Sequence, residues 1–257
     1  MTFNQKFNAF RTIVTKEFLR FIRIWIQTVL PPAITTALYF VIFGNLIGSQ
    51  ISDIDGYSYM DYIVPGLILM TVITNSYANV VSSFYSSKFQ KSIEELLVSP
   101  VPNYLILAGY VMGGVARGLI VGVTVSLVAM YFTDFHVHNV LVAVTVFILT
   151  ATLFSIAGFI NAVYANSFDD ISIVPTFILT PLTYLGGIFY SIEMLPELWQ
   201  NVSLINPILY MINSFRYGLI GVTDTHLPTA FGIIILFNVC LFGYALYLLN
   251  KGIGIKQ

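Results

Sequence analysis

The stretch KFQKSIEELLVSPVPNYL, residues 88–105, decides how this chain is read, because it breaks an apolar sequence with four charges in eight positions. Lys88, Lys91, Glu94 and Glu95 carry those charges, and Pro100 and Pro102 follow them. Ser92 and Glu95 have the spacing of a capping box, in which the Ser92 hydroxyl accepts from the Glu95 amide and Glu95 reaches back to the Ser92 amide. Phe89, Ile93, Leu96 and Leu97 fall on one side at helical spacing, with Lys91, Glu94 and Glu95 on the rest. The prolines end the helix and turn the chain. The pattern predicts about two turns, roughly 10 Å long at 1.5 Å per residue. A helix that short does not hold in water by itself. It packs either as a connector on a membrane surface or as a rigid element seated in a groove of a partner protein.

On either side the chain is far too apolar for a soluble domain. Of its 257 residues 57% are hydrophobic and 9% charged, with a mean hydropathy of +0.85; a soluble domain carries about a quarter charged residues. Most of the surface must therefore face lipid. Apolar runs near 27–48, 62–86, 104–132, 139–165, 172–190 and 229–249 reach the roughly 20 residues a spanning helix needs, so the expected class is an all-α integral membrane protein with six spans. The short alternating strands of a membrane barrel are missing from the sequence. A net charge of −1 leaves no footprint for nucleic acid. Cys240 is the lone cysteine, so no disulfide forms within the chain, and it reads as a small packing residue. The first apolar run is too long, and lacks the small-residue cleavage site, for a cleaved signal peptide.

Charge distribution orients the spans. Lys6, Arg11, Lys16, Arg20 and Arg23 precede the first, Lys88 and Lys91 separate the second and third, and Lys251 and Lys256 follow the last. With both termini cytoplasmic, these nine of the eleven basic residues lie inside. Asp53, Asp55, Asp61, Asp134, Glu193, Glu197, Asp224, the three histidines and Arg216 then lie outside. The apolar stretch 204–222 is read as part of a re-entrant hairpin, because Asn206-Pro207 interrupts it, Arg216 lies within it, and a seventh span would put Lys251 and Lys256 outside. Before the first span, Phe3, Phe7, Phe10, Val14, Phe18 and Phe21 alternate with the basic residues at helical spacing. They predict an amphipathic helix along the cytoplasmic interface, serving as an anchor or as a partner contact.

Within the spans, Gly109/Gly113 and Gly114/Gly118/Gly122 form two small-xxx-small lines that seat either neighbours of the same protomer or a second copy. Arg117 on the same span is costly at that depth and is expected to face the bundle and find carbonyls or a carboxylate. Asp169 and Asp170 suit the amino terminus of span five, or else meet Arg117 or a partner. Span five carries Pro175, Pro181, Gly186 and Gly187, which predict a kinked, deformable helix. Asn75, Tyr77 and Asn79 on span two, with Phe177, Tyr184 and Phe189 on span five, are the candidate pathway residues. Their bland alternative is ordinary packing. Asp134, His136 and His138 are too loose a cluster to read as a metal site. A G-x-x-x-x-G-K-[ST] phosphate loop is missing, so any ATP-driven cycle needs its motor on another polypeptide. The alternative, an ion-coupled secondary transporter, would want acidic or basic residues buried mid-span, where Arg117 is the one candidate and no carboxylate lies; a membrane-embedded enzyme would want a nucleophile–base or metal constellation, which no span presents at depth.

Several blocks together carry a resemblance. The runs EELLVSPVPNYLILAGYV (94–111) and YSIEMLPELWQNVSLINPILYMINSFRYG (190–218) resemble the cytoplasmic loop and the second signature block of ABC-2 type permeases. IWIQTVLPPAITTALYFVIFG (24–44) and FDDISIVPTFILTPLTYLGGIFYS (168–191) extend the likeness to the bacterial inner-membrane members and over essentially the whole chain. The resemblance implies one transmembrane domain over 1–257. Residues 1–26 would be the interfacial helix, 27–190 five spans with a coupling helix near 88–99, 191–228 the outer hairpin, and 229–257 the sixth span and tail. It further implies an exporter permease in the bacterial inner membrane, paired with itself and with two copies of a separate ABC ATPase. ATP and Mg would sit on that ATPase and no cofactor on this chain. Docking would fall to Lys91, Ser92, Ile93, Glu94, Glu95, Leu96 and Leu97, and the outer gate to Pro196, Trp199, Asn206, Pro207 and Arg216. Spans one, two and five would line the dimer interface and a path for amphipathic, lipid-like or glycan-like cargo or drugs.

Overall fold

The structure, a computed structural model, describes residues 1–47, 54, 56–133 and 137–254. Asp53, Asp55, Asp134, His136 and Lys256, on which parts of the charge and metal readings rest, lie outside the described residues. Those described residues form helices and loops, without a β-strand. Helix α1 spans Phe3–Ile22 and α2 Trp25–Tyr39, which continues as a wider π-helical coil over Phe40–Ile47. Helix α3 is Tyr59–Phe89, α4 Ser92–Val98, α5 Asn103–Phe132 and α6 Val140–Tyr164. A jointed stretch follows, with α7 over Asp170–Val174, a π-helical turn over Pro175–Leu179 and α8 over Thr180–Tyr184. Helices α9, Glu197–Ile205, and α10, Pro207–Ile220, precede the last, α11, Leu227–Lys251.

Local signals set the boundaries. Thr2 and Gln5 make a reciprocal capping box at α1. The Ser58 hydroxyl accepts from the Asp61 amide at α3, the Asn139 amide oxygen from Val142 at α6, and Asn206 from Ile208 at α10. Pro207 at the first position of α10 and left-handed Gly221 just past its end bracket that helix. The break between α9 and α10 thus falls where the Asn206-Pro207 pair predicts it.

Among the described residues, five helices are long and apolar enough to cross a membrane: Trp25–Phe43, α3, α5, α6 and α11. The expected fifth span at 172–190 takes a different form. Its helical part covers 170–184 in three consecutive five-residue segments, about 22 Å in all, and the chain then turns. Pro175 and Pro181 sit at the joints; each lacks an amide hydrogen, so the regular ladder cannot run through them.

Helix α3 is the axis of the bundle, packed against α5 and α6 along its length. Its most apolar window is 72% buried, against 17% for that of α2. The glycine lines of α5 explain the closeness. A Cβ at Gly118 would collide with the Ser76 hydroxyl of α3, and one at Gly122 would meet Val72 and Phe147 at 2.6 and 2.3 Å. The neighbouring line seats α1: a Cβ at Gly109 would lie 2.5 Å from an Ile13 methyl, and one at Gly113 2.5 Å from Glu17 Cβ. Both lines are therefore filled from this chain itself. The four-residue step from Ile13 to Glu17 matches the four-residue step from Gly109 to Gly113, so α1 and α5 run side by side in the same direction.

That packing corrects the reading of α1. Its buried residues are Ile13, Glu17 and Phe21, whereas Phe3, Phe7 and Phe18 of the expected apolar face are exposed. The close-approach groove of α5, rather than the phenylalanine stripe, chooses the face that packs. Helix α3, with 31 residues, is about 46 Å long and α5 nearly as long, against about 30 Å of hydrocarbon. That leaves a surplus of about 16 Å; at the α4 end α1 brings Lys6, Arg11 and Lys16 alongside α5. Helices α1, α3 and α5 form a short stalk there, and α4 sits on it.

Gly113→Ala is expected to cost about 1–3 kcal/mol through overpacking against Glu17 and to expose α1. Gly232→Ala on α11 serves as control, since nothing lies within 4 Å of a Cβ there. Thermal unfolding of the two variants in detergent, with hydrogen exchange over residues 3–22, checks this; equal behaviour would refute the seat.

Candidate functional site

Helix α4 forms where the charged stretch predicts it, but its start is built differently. Lys91 sits at φ 60°, the one non-glycine residue in the left-handed region among the described residues, a conformation that costs about 1–3 kcal/mol. It swings the chain so that Ser92 becomes the first helical residue instead of the cap. The Ser92 hydroxyl donates to the Ser87 carbonyl at 3.2 Å, and the expected capping box does not form. Such a box does occur further on. The Ser167 hydroxyl accepts from the Asp170 amide while Asp170 Oδ2 accepts from the Ser167 and Asn166 amides. Asp170 thus takes the capping role; Asp169 makes no side-chain cap bond.

Ile93 is the buried anchor of α4, with Leu96 and Leu97 half-buried beside it. Phe89 is not part of that face. It ends α3, is 65% exposed, and stacks edge-on with Phe168 at 5.2 Å. Lys91, Ser92, Glu94, Glu95 and Val98 face outward. Glu94 and Glu95 lie in the first turn, where the helix dipole favours them. Between α1 and α4 runs a crevice of about 390 Å³ lined by Thr12, Ile13, Lys16, Ser92, Glu95, Leu96, Ser99 and Tyr110. A second depression on α1 is lined by Asn8, Arg11, Thr12 and Thr15. The exposed platform therefore has an acidic side from α4 and a basic side from α1.

Lys88 anchors the root of α4. Its Nζ donates to the Val163 and Ala165 carbonyls at 2.8 and 2.7 Å, closing the end of α6 next to the turn that begins α7. Displacement of α4 is thereby tied to α3, α6 and the jointed 170–184 stretch.

Behind the platform lies a polar cluster. Arg20 Nη2 donates to both the backbone and side-chain oxygens of Asn79 at 2.8 Å. Glu17, fully buried, lies 3.4 Å from Arg20 Nε. Arg117 donates to Asn75 Oδ1 at 3.3 Å, a side-chain carbonyl oxygen of the kind expected for it. Glu17 escaped the sequence reading, yet it lies four residues from both Ile13 and Phe21, on the face that packs.

Of the six candidate pathway residues, Asn75 shares a cleft with Tyr39, whose ring also meets Phe189, while Tyr77, Asn79 and Phe177 lie elsewhere. Asn75 lines a cleft of about 290 Å³ between α2 and α3, together with Pro31, Pro32, Thr35, Thr36, Tyr39, Leu67, Met70, Thr71 and Thr74. Asn79 lies behind it on Arg20. Tyr77 is buried on another face, where α6 packs its Gly158 onto the Tyr77 carbonyl. Tyr184 and Phe189 stack with one another, and Phe189 with Phe43. Phe177 is 73% exposed, away from both groups.

At the other end, Arg216 is fully buried instead of lying in an outer loop. It donates to Asn213 Oδ1 at 3.1 Å and to the Gly187 carbonyl, and its guanidinium carbon lies 3.9 Å over the Tyr62 ring. Asn206 donates to the Leu182 carbonyl. These bonds tie α10 to α3 and to the turn after α8. Pro196 precedes α9, Pro207 opens α10, and Trp199 stays half exposed on α9.

Known proteins are similar to this chain. The chain is 57% identical over 250 residues to the inner membrane transport permease YadH of Escherichia coli strain K12, covering 97% of both chains. It is 22% identical over 237 residues to nodulation protein J of Rhizobium meliloti, covering 92% of this chain and 90% of that one. A second nodulation protein J, from Rhizobium leguminosarum bv. viciae, is 21% identical over 215 residues, 83% of each. Residues 8–220, from α1 through α10, match the ABC-2 type transporter description, and the chain belongs to that family as a membrane permease.

Proposed function

We propose that this permease is the membrane half of an ATP-driven exporter, working as a homodimer with two copies of a separate ABC ATPase that holds the ATP and Mg. The observation that carries this reading is the α4 platform, a seven-residue helix with one buried anchor, an open acidic face and a rigid root on α3 and α6. A free loop gains nothing from such anchoring, whereas a motor's docking point requires it. Helix α1 completes the footprint, adding Arg11 and Lys16 to the docking set of Lys91, Ser92, Ile93, Glu94, Glu95, Leu96 and Leu97. When the ATPases close on ATP, α4 moves, and α3, the stalk and the 170–184 stretch move with it.

The jointed stretch serves as the fifth crossing, completed by the turn at 185–191, with α9 and α10 folding back as an outer gate pinned by Arg216. Six crossings place both termini in the cytoplasm of a bacterial inner membrane. The cargo is amphipathic, lipid-like or glycan-like and travels from the cytoplasm or inner leaflet outward. Ion coupling gains no support from Glu17, because Arg20 already neutralises that carboxylate.

Reversing the exposed charges by Glu94→Lys with Glu95→Lys is expected to weaken ATPase capture by the purified permease at least tenfold, about 1.4 kcal/mol, with membrane insertion unchanged. Normal capture and transport would remove α4 from the docking role. With Cys240→Ser as background, Asn201→Cys should react with a membrane-impermeant maleimide on intact cells and Lys251→Cys should not; external labelling at 251 would sink the six-crossing topology.

A further inference from the structure

Helices α9 and α10 are attached to the bundle in different ways. Helix α10 buries ten of its 14 residues, among them Arg216, which donates to the Gly187 carbonyl and lies over the Tyr62 ring. Helix α9 has nine residues and buries Ser203 alone. Its apolar side chains point away from the bundle. Leu198 is 66% exposed and Ile205 82%, and Trp199 and Val202 are exposed with them. Positions 198, 202 and 205 share one face at four- and three-residue spacing, so α9 turns a small polar residue inward and its apolar side out. In lipid, apolar surface gains nothing by pressing inward. Polar ties at its two ends therefore decide where α9 sits.

Those ties differ in kind. At the carboxyl end, buried Asn206 donates to the Leu182 carbonyl at 2.6 Å, and its oxygen accepts from the Ile208 amide that begins α10. The Tyr210 hydroxyl of α10 donates to the Leu204 carbonyl at 2.8 Å. Asn206 itself has extended backbone, φ −79° and ψ 116°, so the two helices meet at a break. At the amino end the Asp224 carboxylate does the holding. Its Oδ2 accepts from the Ser191 hydroxyl and the Ile192 amide, each at 3.1 Å. Asp224 lies between α10 and α11, and its own amide donates at 3.2 Å to Asn213 Oδ1, the oxygen that also accepts from Arg216. The carboxylate is thus positioned from the α10 side and reaches across to the segment that leads into α9. Its side chain is only half-buried, so water takes up the carboxylate once it lets go. Parting Arg216 from its acceptors would instead strand a buried charge.

We propose that α9 is a lid over the outer end of the permease, hinged at Asn206 and latched by Asp224 onto Ser191 and Ile192, and that it swings while α10 stays in place. Asp224 is the positioning residue of this device. The inference rests on the outer-gate reading above and divides that gate into a moving part and a fixed post.

Ser203 on α9 and Ser214 on α10 supply the reporters. Both are fully buried, and among the described residues neither hydroxyl has a hydrogen-bond partner, so a thiol at either position deletes no bond. The test uses the permease with its ATPase in lipid nanodiscs, in a Cys240→Ser background carrying Ser203→Cys or Ser214→Cys, and follows labelling by N-ethylmaleimide. Without nucleotide, Asp224→Ala should speed labelling at 203 at least tenfold, the scale of a hydrogen bond to a charged group, and leave 214 within twofold. Asp224→Asn, whose amide oxygen can accept both bonds, should raise 203 less than threefold. Ser191→Ala removes one donor, leaves the carboxylate in place and should fall between the two. Glu193→Ala, a neighbouring acid outside the latch, should change neither position. Unchanged labelling at 203 in both alanine variants of the latch, or an asparagine variant as open as Asp224→Ala, would overturn the latch. Equal rises at 203 and 214 would overturn the lid, because the hairpin would then open as one piece. Adding ATP and Mg should raise 203 at least threefold, again without moving 214. If the latch variants behave as stated and ATP changes neither position, the lid stands and the exporter reading falls. If ATP raises 203 and 214 together, the exporter reading stands and the lid falls.

Discussion

Close approach at α5 is the constraint on which the rest of the structure depends. One glycine line lets α3 and α6 press against its backbone, and the adjacent line lets α1 lie alongside. In lipid no hydrophobic force draws helices together, so such contact area supplies the association. Residues 113 and 114 differ by about 100° around a helix, so two neighbouring glycines serve two different partners. Without that pair of faces α1 would remain a surface anchor. With them it becomes part of the packed link between the α4 platform and α3.

Burial of Glu17 follows from the same contact. An acidic residue on the packing face is expensive to desolvate, and an ion pair there is weak evidence of stability, although removing one partner alone costs about 3–5 kcal/mol. Registry is the better account. Arg20 reaches Asn79 at its backbone and side-chain oxygens together, fixing α1 against α3 at one rung. Glu17 on Gly113 fixes α1 against α5 at the corresponding rung. Sliding α1 by a turn would break both contacts at once.

Much of this architecture was legible in the sequence. The long apolar runs located α2, α3, α5, α6 and α11, because a spanning helix needs little beyond length and apolarity. The end of α4 before Pro100 and the Asn206-Pro207 break were equally plain, since proline and side-chain caps act within a few residues. Features decided by tertiary contacts were hidden. The Ser92–Glu95 pattern is a sound local cap, but left-handed Lys91 moved the helix start by one residue. Arg216 resembled a loop base because only the folded hairpin brings Asn213, Gly187 and Tyr62 around it. The phenylalanine stripe of α1 outweighed Glu17 in any hydrophobicity pattern, and only the glycines of another helix reversed the choice of face. Of the candidate pathway set, Asn75 alone lines the cleft. Its neighbours in sequence, Tyr77 and Asn79, project at angles set by the helical repeat into different surroundings.

The choice of partners for the deep cations bears on movement. Arg20, Arg117 and Arg216 each donate to an asparagine oxygen, from Asn79, Asn75 and Asn213. An amide oxygen satisfies a guanidinium hydrogen without a full opposite charge, so separating the two forfeits a hydrogen bond to a charged group, about 1.5–3 kcal/mol. Breaking a buried carboxylate–guanidinium pair strands two charges and costs more. Helices that change their spacing in each transport cycle are better joined by the first kind of contact. Asn75 and Asn79 lie one turn apart on α3, each gripped by a cation from a different helix. Glu17 stays with Arg20 on the same helix, where no movement between helices can part them.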